Sequence, residues 1–155
     1  LHLAAENMID NLFNERLAAK DFLPIGPNGT HLLVETSYYQ PPIDLYGTLK
    51  RIQEEGYIPI LAHPERYGYM DDKDYDKLSS MRVKLQMNIV SLAGGYGKPA
   101  QDKAIMLLNK GYYSFFGSDL HRLRSFTEAV NMKAIKKEFI PQLQRIENFI
   151  PAAIE

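Results

Sequence analysis

The sequence predicts an α/β fold, with about five parallel strands and flanking helices. Two observations carry this expectation. Apolar runs of strand length recur along the chain, and most lead into a stretch whose apolar residues are spaced for a helix. Glycine and proline punctuate many of the joints. Alternation of this kind builds a parallel sheet through right-handed crossovers.

Taken in order, residues 1–5 read as a short strand, and ENMIDNLFNERLAAKDF follows with Met8, Ile9, Leu12, Phe13 and Leu17 at helical spacing. GPNGT is turn chemistry, and HLLVET (31–36) is the second strand. Pro41 and Pro42 lead into IDLYGTLKRIQEEG, where Ile43, Tyr46, Leu49 and Ile52 form a stripe and Gly56 a stop. YIPILA (57–62) is the third strand, MDDKDYDKLSSM a loop and short helix, and VKLQMNI (83–89) the fourth strand. GKPAQDKAIMLLNKG reads as a helix ending at Gly111, and YYSFFGS (112–118) as the fifth strand. RSFTEAVNMKAIKKEF and PQLQRIENFIPAAI read as helices divided by Pro141. Five strands are too few for a closed (β/α) barrel, which takes about 250 residues. The sheet is therefore open or lacks strands, and the abrupt start at Leu1 reads as that of a fragment. No repeat, low-complexity tract or interdomain linker interrupts the chain.

The 155 residues are 45% hydrophobic and 24% charged, the composition of one globular, soluble domain. A formal charge of -1 gives no basic field for nucleic acid or a membrane surface, so small molecules or proteins are the expected partners. Cysteine is absent, which excludes disulfides, thiolate metal sites and cysteine-based phosphotyrosine hydrolysis and suits a cytoplasmic protein. No apolar run reaches the roughly 20 residues of a membrane span.

In parallel α/β folds reactive groups collect beyond the carboxyl ends of the strands. The residues expected there are Glu6, Glu35, His63, Asn88, Asp119 and His121, and all but Asn88 are carboxylates or imidazoles suited to divalent metals. Glu6 alone would read as a first-turn helix residue, and His63 alone as a structural histidine. Glu35 follows LLV in a run too apolar for an unpaired carboxylate. Asp119 and His121 stand two apart and face the same way in an extended segment. Their joint placement is what points to metal. His2 lies lower on its strand and reads as structural. AGGYGKP fails the phosphate-loop spacing and reads as a flexible turn into a helix. Ser91, Ser118 and Ser125 lack the G-x-S-x-G elbow.

The segments LVET, GYIPILAHPERY, QMNIVSLAGGYGK and FFGSDLH, with AENMID before them and Glu147-Asn148 after, carry a resemblance in order through essentially the whole chain. It resembles the bacterial capsule and exopolysaccharide protein-tyrosine phosphatases of the polymerase-and-histidinol-phosphatase (PHP) superfamily. The resemblance implies a distorted TIM-like barrel with up to three divalent metals, often manganese, with iron, cobalt or zinc as alternatives. Residue by residue it makes Glu6, Glu35, His63, Asp119 and His121 metal ligands. Arg66 of HPERY becomes the residue that binds the substrate phosphate, Arg124 of RSF corresponds to a second such arginine, and Asn88 lies with the substrate-binding groups. Glu65 reads as a supporting partner for an arginine or histidine. The family opens with an H-x-H metal-binding strand that does not precede Leu1, so residues 1–155 are expected to form the later two-thirds of one PHP domain and to hold a partial cluster. The implied substrate is phosphotyrosine on a tyrosine autokinase controlling polysaccharide export. Tyr38, Tyr39 and Tyr96 lie in loops expected to border the pocket. A small-molecule phosphatase of the histidinol-phosphate type and a noncatalytic metal-binding scaffold remain alternatives, and the oligomeric state is open.

Overall fold

Each apolar run of the sequence ends where a turn-forming or polar residue stops it, and the backbone follows that pattern closely. The computed structural model describes residues 3–119, 135–146, 148 and 150. The strands are β1 (Glu6–Met8), β2 (His31–Glu35), β3 (Ile58–Ala62), β4 (Lys84–Asn88) and β5 (Tyr113–Gly117), in chain order in the sheet. β1 pairs with β2, β2 with β3 and β4 with β5, all in parallel. The α/β class with parallel strands therefore stands. The chain folds as two compact units that interleave along the sequence, one running to Ala62 and resuming over Tyr67–Lys84 and after Asn148, the other taking His63–Arg66 and Leu85–Asn148.

In the first unit, β1, β2 and β3 are accompanied by α1 (Phe13–Ala18), α2 (Leu45–Glu54) and α3 (Asp72–Ser80). The register sets Glu6 opposite Leu33 and Met8 opposite Glu35. Because alternate residues share a face of a strand, Glu6, Met8, Leu33 and Glu35 lie on one side and the buried Asn7, Leu32 and Val34 on the other. β3 is apolar along its length, and Ile60, Leu61 and Ala62 are all buried, as a strand covered on both faces requires. Leu45, Thr48, Leu49 and Ile52 form the buried face of α2. Its end is fixed by Gly56 at φ 90°, where the Gly56 and Tyr57 N–H groups donate to the carbonyls of Gln53 and Ile52. α3 starts with a reciprocal cap, the Asp71 carboxylate accepting from the Lys73 and Asp74 N–H groups while Asp74 accepts from the Asp71 N–H.

The second unit holds most of β4, β5, α4 (Ile89–Leu92), α5 (Lys98–Asn109) and the 3-10 turn Pro64–Arg66. A second 3-10 turn, Lys137–Phe139, runs into the short helix α6 (Ile140–Leu143). Leu85, Met87, Leu92, Ala104, Leu107 and Leu108 make its core. α5 ends as α2 does, with Gly111 at φ 71°.

Three expectations are corrected. Residues 3–5, expected in the first strand, are not in one, and the first described strand is Glu6–Met8, so Met8 and Ile9 are not helical and α1 begins only at Phe13. Pairing to β2 overrides the helical spacing there, and the ladder is prolonged by the Ile9 N–H donating to the Glu35 carbonyl at 2.8 Å. Ile43 precedes the Asp44 cap and is 99% exposed, so it is not part of the buried stripe of α2. Pro141 sits in the first turn of α6 rather than between two helices, a place where its missing N–H costs no hydrogen bond. The helix expected over RSFTEAVNMKAIKKEF lies mostly outside the described residues, and its described end is the 3-10 turn Lys137–Phe139; His2, His121 and Arg124 also lie outside the described residues.

Candidate active site

Glu6 and Glu35 come from neighbouring parallel strands and share one face of the sheet. Glu6 is the first residue of β1 rather than a residue beyond its end, whereas Glu35 closes β2. His63 is joined by its peptide bond to Ala62, the last residue of β3, and is 3% exposed. One ligand atom from each of Glu6, Glu35 and His63 lies within 4.8 Å of the others. Two carboxylates and one imidazole are a donor set suited to a hard or borderline divalent cation, so these residues fit a metal.

The local backbone explains how His63 leaves its strand. Its φ is 33°, in the left-handed region that costs a non-glycine residue about 1–3 kcal/mol, and its N–H is held by the Gln86 carbonyl at 2.7 Å. Pro64 then opens a single 3-10 turn, closed by the Arg66 N–H donating to the His63 carbonyl at 3.0 Å. That turn sets the arginine one step after the histidine.

Within the second unit, Arg66, Asn88, Tyr96 and Asp119 form one cluster. Arg66 Nη1 donates to Asp119 Oδ2 at 2.9 Å, with the two side chains only 15% and 13% exposed. Asn88 Nδ2 donates to the same oxygen at 3.2 Å, while Asn88 Oδ1 caps α4 by accepting from the Val90 N–H. Asp119, two residues past β5, also has a left-handed backbone, with φ 47°. Of the other residues expected at the site, Asp119 is joined to Arg66 and Asn88, and His121 lies outside the described residues.

Beneath this cluster is a buried carboxylate. Glu65 is 1% exposed and accepts from the Asn88 N–H at 3.0 Å and from the Tyr113 hydroxyl at 2.9 Å. Burial pushes its pKa up, while the hydrogen bonds from the Asn88 N–H and the Tyr113 hydroxyl oppose the shift. The partners expected for it were an arginine or a histidine; the hydrogen bonds it makes go to an asparagine backbone and a tyrosine instead. Tyr113 was missed as a site-supporting residue. Its only trace in the sequence is an inward position at the start of a strand, which does not separate it from an ordinary core tyrosine.

A second tyrosine group follows Glu35. The Tyr67 hydroxyl accepts from the Thr36 N–H at 3.1 Å and donates to the Ala62 carbonyl at 2.9 Å. Tyr38 and Tyr69 both stack on its ring, at 6.2 and 5.7 Å. Burial raises the pKa of Tyr67, so its hydroxyl stays protonated and ties the end of β2 to the end of β3.

Comparison with known proteins gives three results. The family model described as "Capsular polysaccharide synthesis, CpsB/CapC" matches residues 1–140. Tyrosine-protein phosphatase YwqE of Bacillus subtilis (strain 168) is 27% identical over 117 residues, 73% of this chain and 46% of that protein. A solved structure from work on YwqE of Bacillus subtilis and CpsB of Streptococcus pneumoniae, described there as metal-dependent tyrosine phosphatases, superposes with a TM-score of 0.70 at 21% identity, covering 94% of this chain and 64% of that one. The chain therefore spans about half the length of the curated relative and under two thirds of the solved one.

Proposed function

Because the chain belongs to the CpsB/CapC family of capsular polysaccharide synthesis, we propose that these residues form the later part of a single metal-dependent phosphatase domain that hydrolyses phosphotyrosine. The observation that carries this reading is the convergence of Glu6, Glu35 and His63 within 4.8 Å, with Arg66 one 3-10 turn further on. In this reading Glu6, Glu35 and His63 hold divalent metal, manganese first among the candidates, and Asp119 and His121 complete the ligand set. A divalent ion held there supplies Lewis acidity toward the phosphoryl oxygens and lowers the pKa of a water. The chain's own part is to bind and orient. Arg66 offers a planar, permanently charged fork that takes two phosphate oxygens at once, and Arg124 is the second such group. Asn88 acts on substrate from beside Asp119. Glu65 and Tyr113 fix the floor on which Arg66 and Asn88 stand.

The proposed substrate is a tyrosine autokinase that regulates capsule or exopolysaccharide synthesis in the cytoplasm, by analogy with the tyrosine phosphatases this chain resembles. The test is hydrolysis by the full-length protein loaded with manganese, comparing a phosphotyrosine peptide with histidinol phosphate. Preference for the peptide, loss of turnover with a chelator, and a fall of at least about 100-fold in Arg66→Ala are expected. Faster turnover of histidinol phosphate would overturn the substrate assignment, and chelator-resistant turnover the metal assignment.

A further inference from the structure

The glycine stretch between α4 and α5 lacks the spacing of a phosphate loop, yet its backbone is closely determined. Gly94 and Gly97 have φ of 89° and 87°, values that strain any residue with a β-carbon. The Gly94, Gly95 and Gly97 N–H groups donate to the carbonyls of Ser91, Val90 and Gly94 at 2.9, 2.9 and 3.1 Å. Gln101, from the first turns of α5, donates to the Leu92 carbonyl at 3.1 Å and closes the base of the loop. What this folded loop presents is Tyr96. The Arg66 guanidinium lies 4.0 Å from the centre of its ring. Its hydroxyl is 3.4 Å from Asn88 Nδ2, which also donates to Asp119 Oδ2. Arg66, Tyr96, Asn88 and Asp119 therefore close a ring of contacts, with the guanidinium held by a carboxylate and an aromatic face.

We propose that Tyr96 is a positioning residue for Arg66: the loop 93–97 holds an aromatic face against the guanidinium so that its fork is already oriented when a phosphate arrives. This rests on the reading of Arg66 as the phosphate-binding residue. The physical reason is entropic. A free arginine side chain loses much rotamer freedom when it grips an oxyanion, and one already stacked on a fixed ring has less to lose.

The experiment compares Tyr96→Phe, which keeps the aromatic face and loses the hydroxyl, with Tyr96→Leu, which removes the face, in the full-length protein. The first readout is the NMR signal of the Arg66 side-chain N–H groups. A ring-current upfield shift is expected in the wild type and in Tyr96→Phe and is lost in Tyr96→Leu. The second is calorimetric affinity for inorganic phosphate on manganese-loaded protein. Tyr96→Phe should restore wild-type affinity, and Tyr96→Leu should bind about three- to tenfold more weakly, the range of a cation–π contact. Absence of the ring-current shift in the wild type overturns the proposal. So does wild-type phosphate affinity in Tyr96→Leu when Arg66→Ala has lost binding. Unchanged affinity in Arg66→Ala is a different failure: it removes the phosphate role of Arg66 itself, while a retained ring-current pattern still reports the stack.

Discussion

His63 and Asp119, both expected as ligands, carry left-handed backbones at φ 33° and 47°, one residue past β3 and two residues past β5. Strain of about 1–3 kcal/mol per residue persists only where surrounding contacts impose it, and such residues concentrate at functional sites. For His63 the contacts are the hydrogen bond from its N–H to Gln86 and the 3-10 turn that follows it. For Asp119 they are Arg66 and Asn88. His31 offers a separate test. It is nearly buried at the start of β2 beside the Thr30 hydroxyl, and burial, then the charge of Lys84, lowers its pKa from the ordinary 6.5. The unfolded chain thus takes up the proton first. The stability due to neutral His31 is complete above pH 6.5 and is lost as the pH falls from there through the folded-state value. Urea denaturation across that window should show stability declining in the wild type and a flatter profile in His31→Gln. Parallel profiles would rule His31 out as the source.

At the scale of elements, the helix caps are the parts most open to single substitutions. Asp44 caps α2 from a left-handed conformation, φ 56°, its carboxylate accepting from the Gly47 N–H and pairing with Arg51. Gly47 leaves room for the same arrangement, since a β-carbon there would stand 2.2 Å from the Asp44 carboxylate and displace it from its capping position. Asp44→Ala loses the cap and keeps a strained backbone, at a cost of about 1–2 kcal/mol. Asp44→Gly loses the cap but relieves the strain, and should cost only a few tenths of a kcal/mol. Thermal denaturation of both variants measures the difference. Equal losses would mean that the left-handed conformation carries no strain.

For the whole molecule, the proposed metal site predicts linkage between cation binding and folding. A cation that binds the folded chain through Glu6, Glu35 and His63, and not the unfolded chain, stabilises it by about 1.4 kcal/mol at ten times its dissociation constant. In a chain of this size that corresponds to a rise in Tm of about 3–6 °C. Manganese should produce this shift in a thermal melt, and Glu35→Gln should abolish it. A shift that survives Glu35→Gln would move the metal elsewhere in the molecule. Among the described residues no helix is long and apolar enough to cross a membrane.

The sequence by itself determined the alternation of strands and helices, four of the five strands to within a residue or so, and the glycine stops at Gly56 and Gly111. These are consequences of short-range sterics and hydrogen bonding, which leave a periodic trace. It also marked Glu35 and His63 as ligand candidates through residue type and place, and Glu6 through residue type alone, since Glu6 opens β1 instead of following a strand. Only the tertiary structure decided that Glu6–Met8 pairs with β2 instead of beginning a helix, that Ile43 faces solvent, and that Glu65 serves Asn88 and Tyr113. It alone set Asp119 on Arg66 across 53 positions and laid Tyr96 against the same guanidinium. Such meetings are fixed by how packed strands and turns aim their side chains, and no local periodicity reports which distant residue stands opposite.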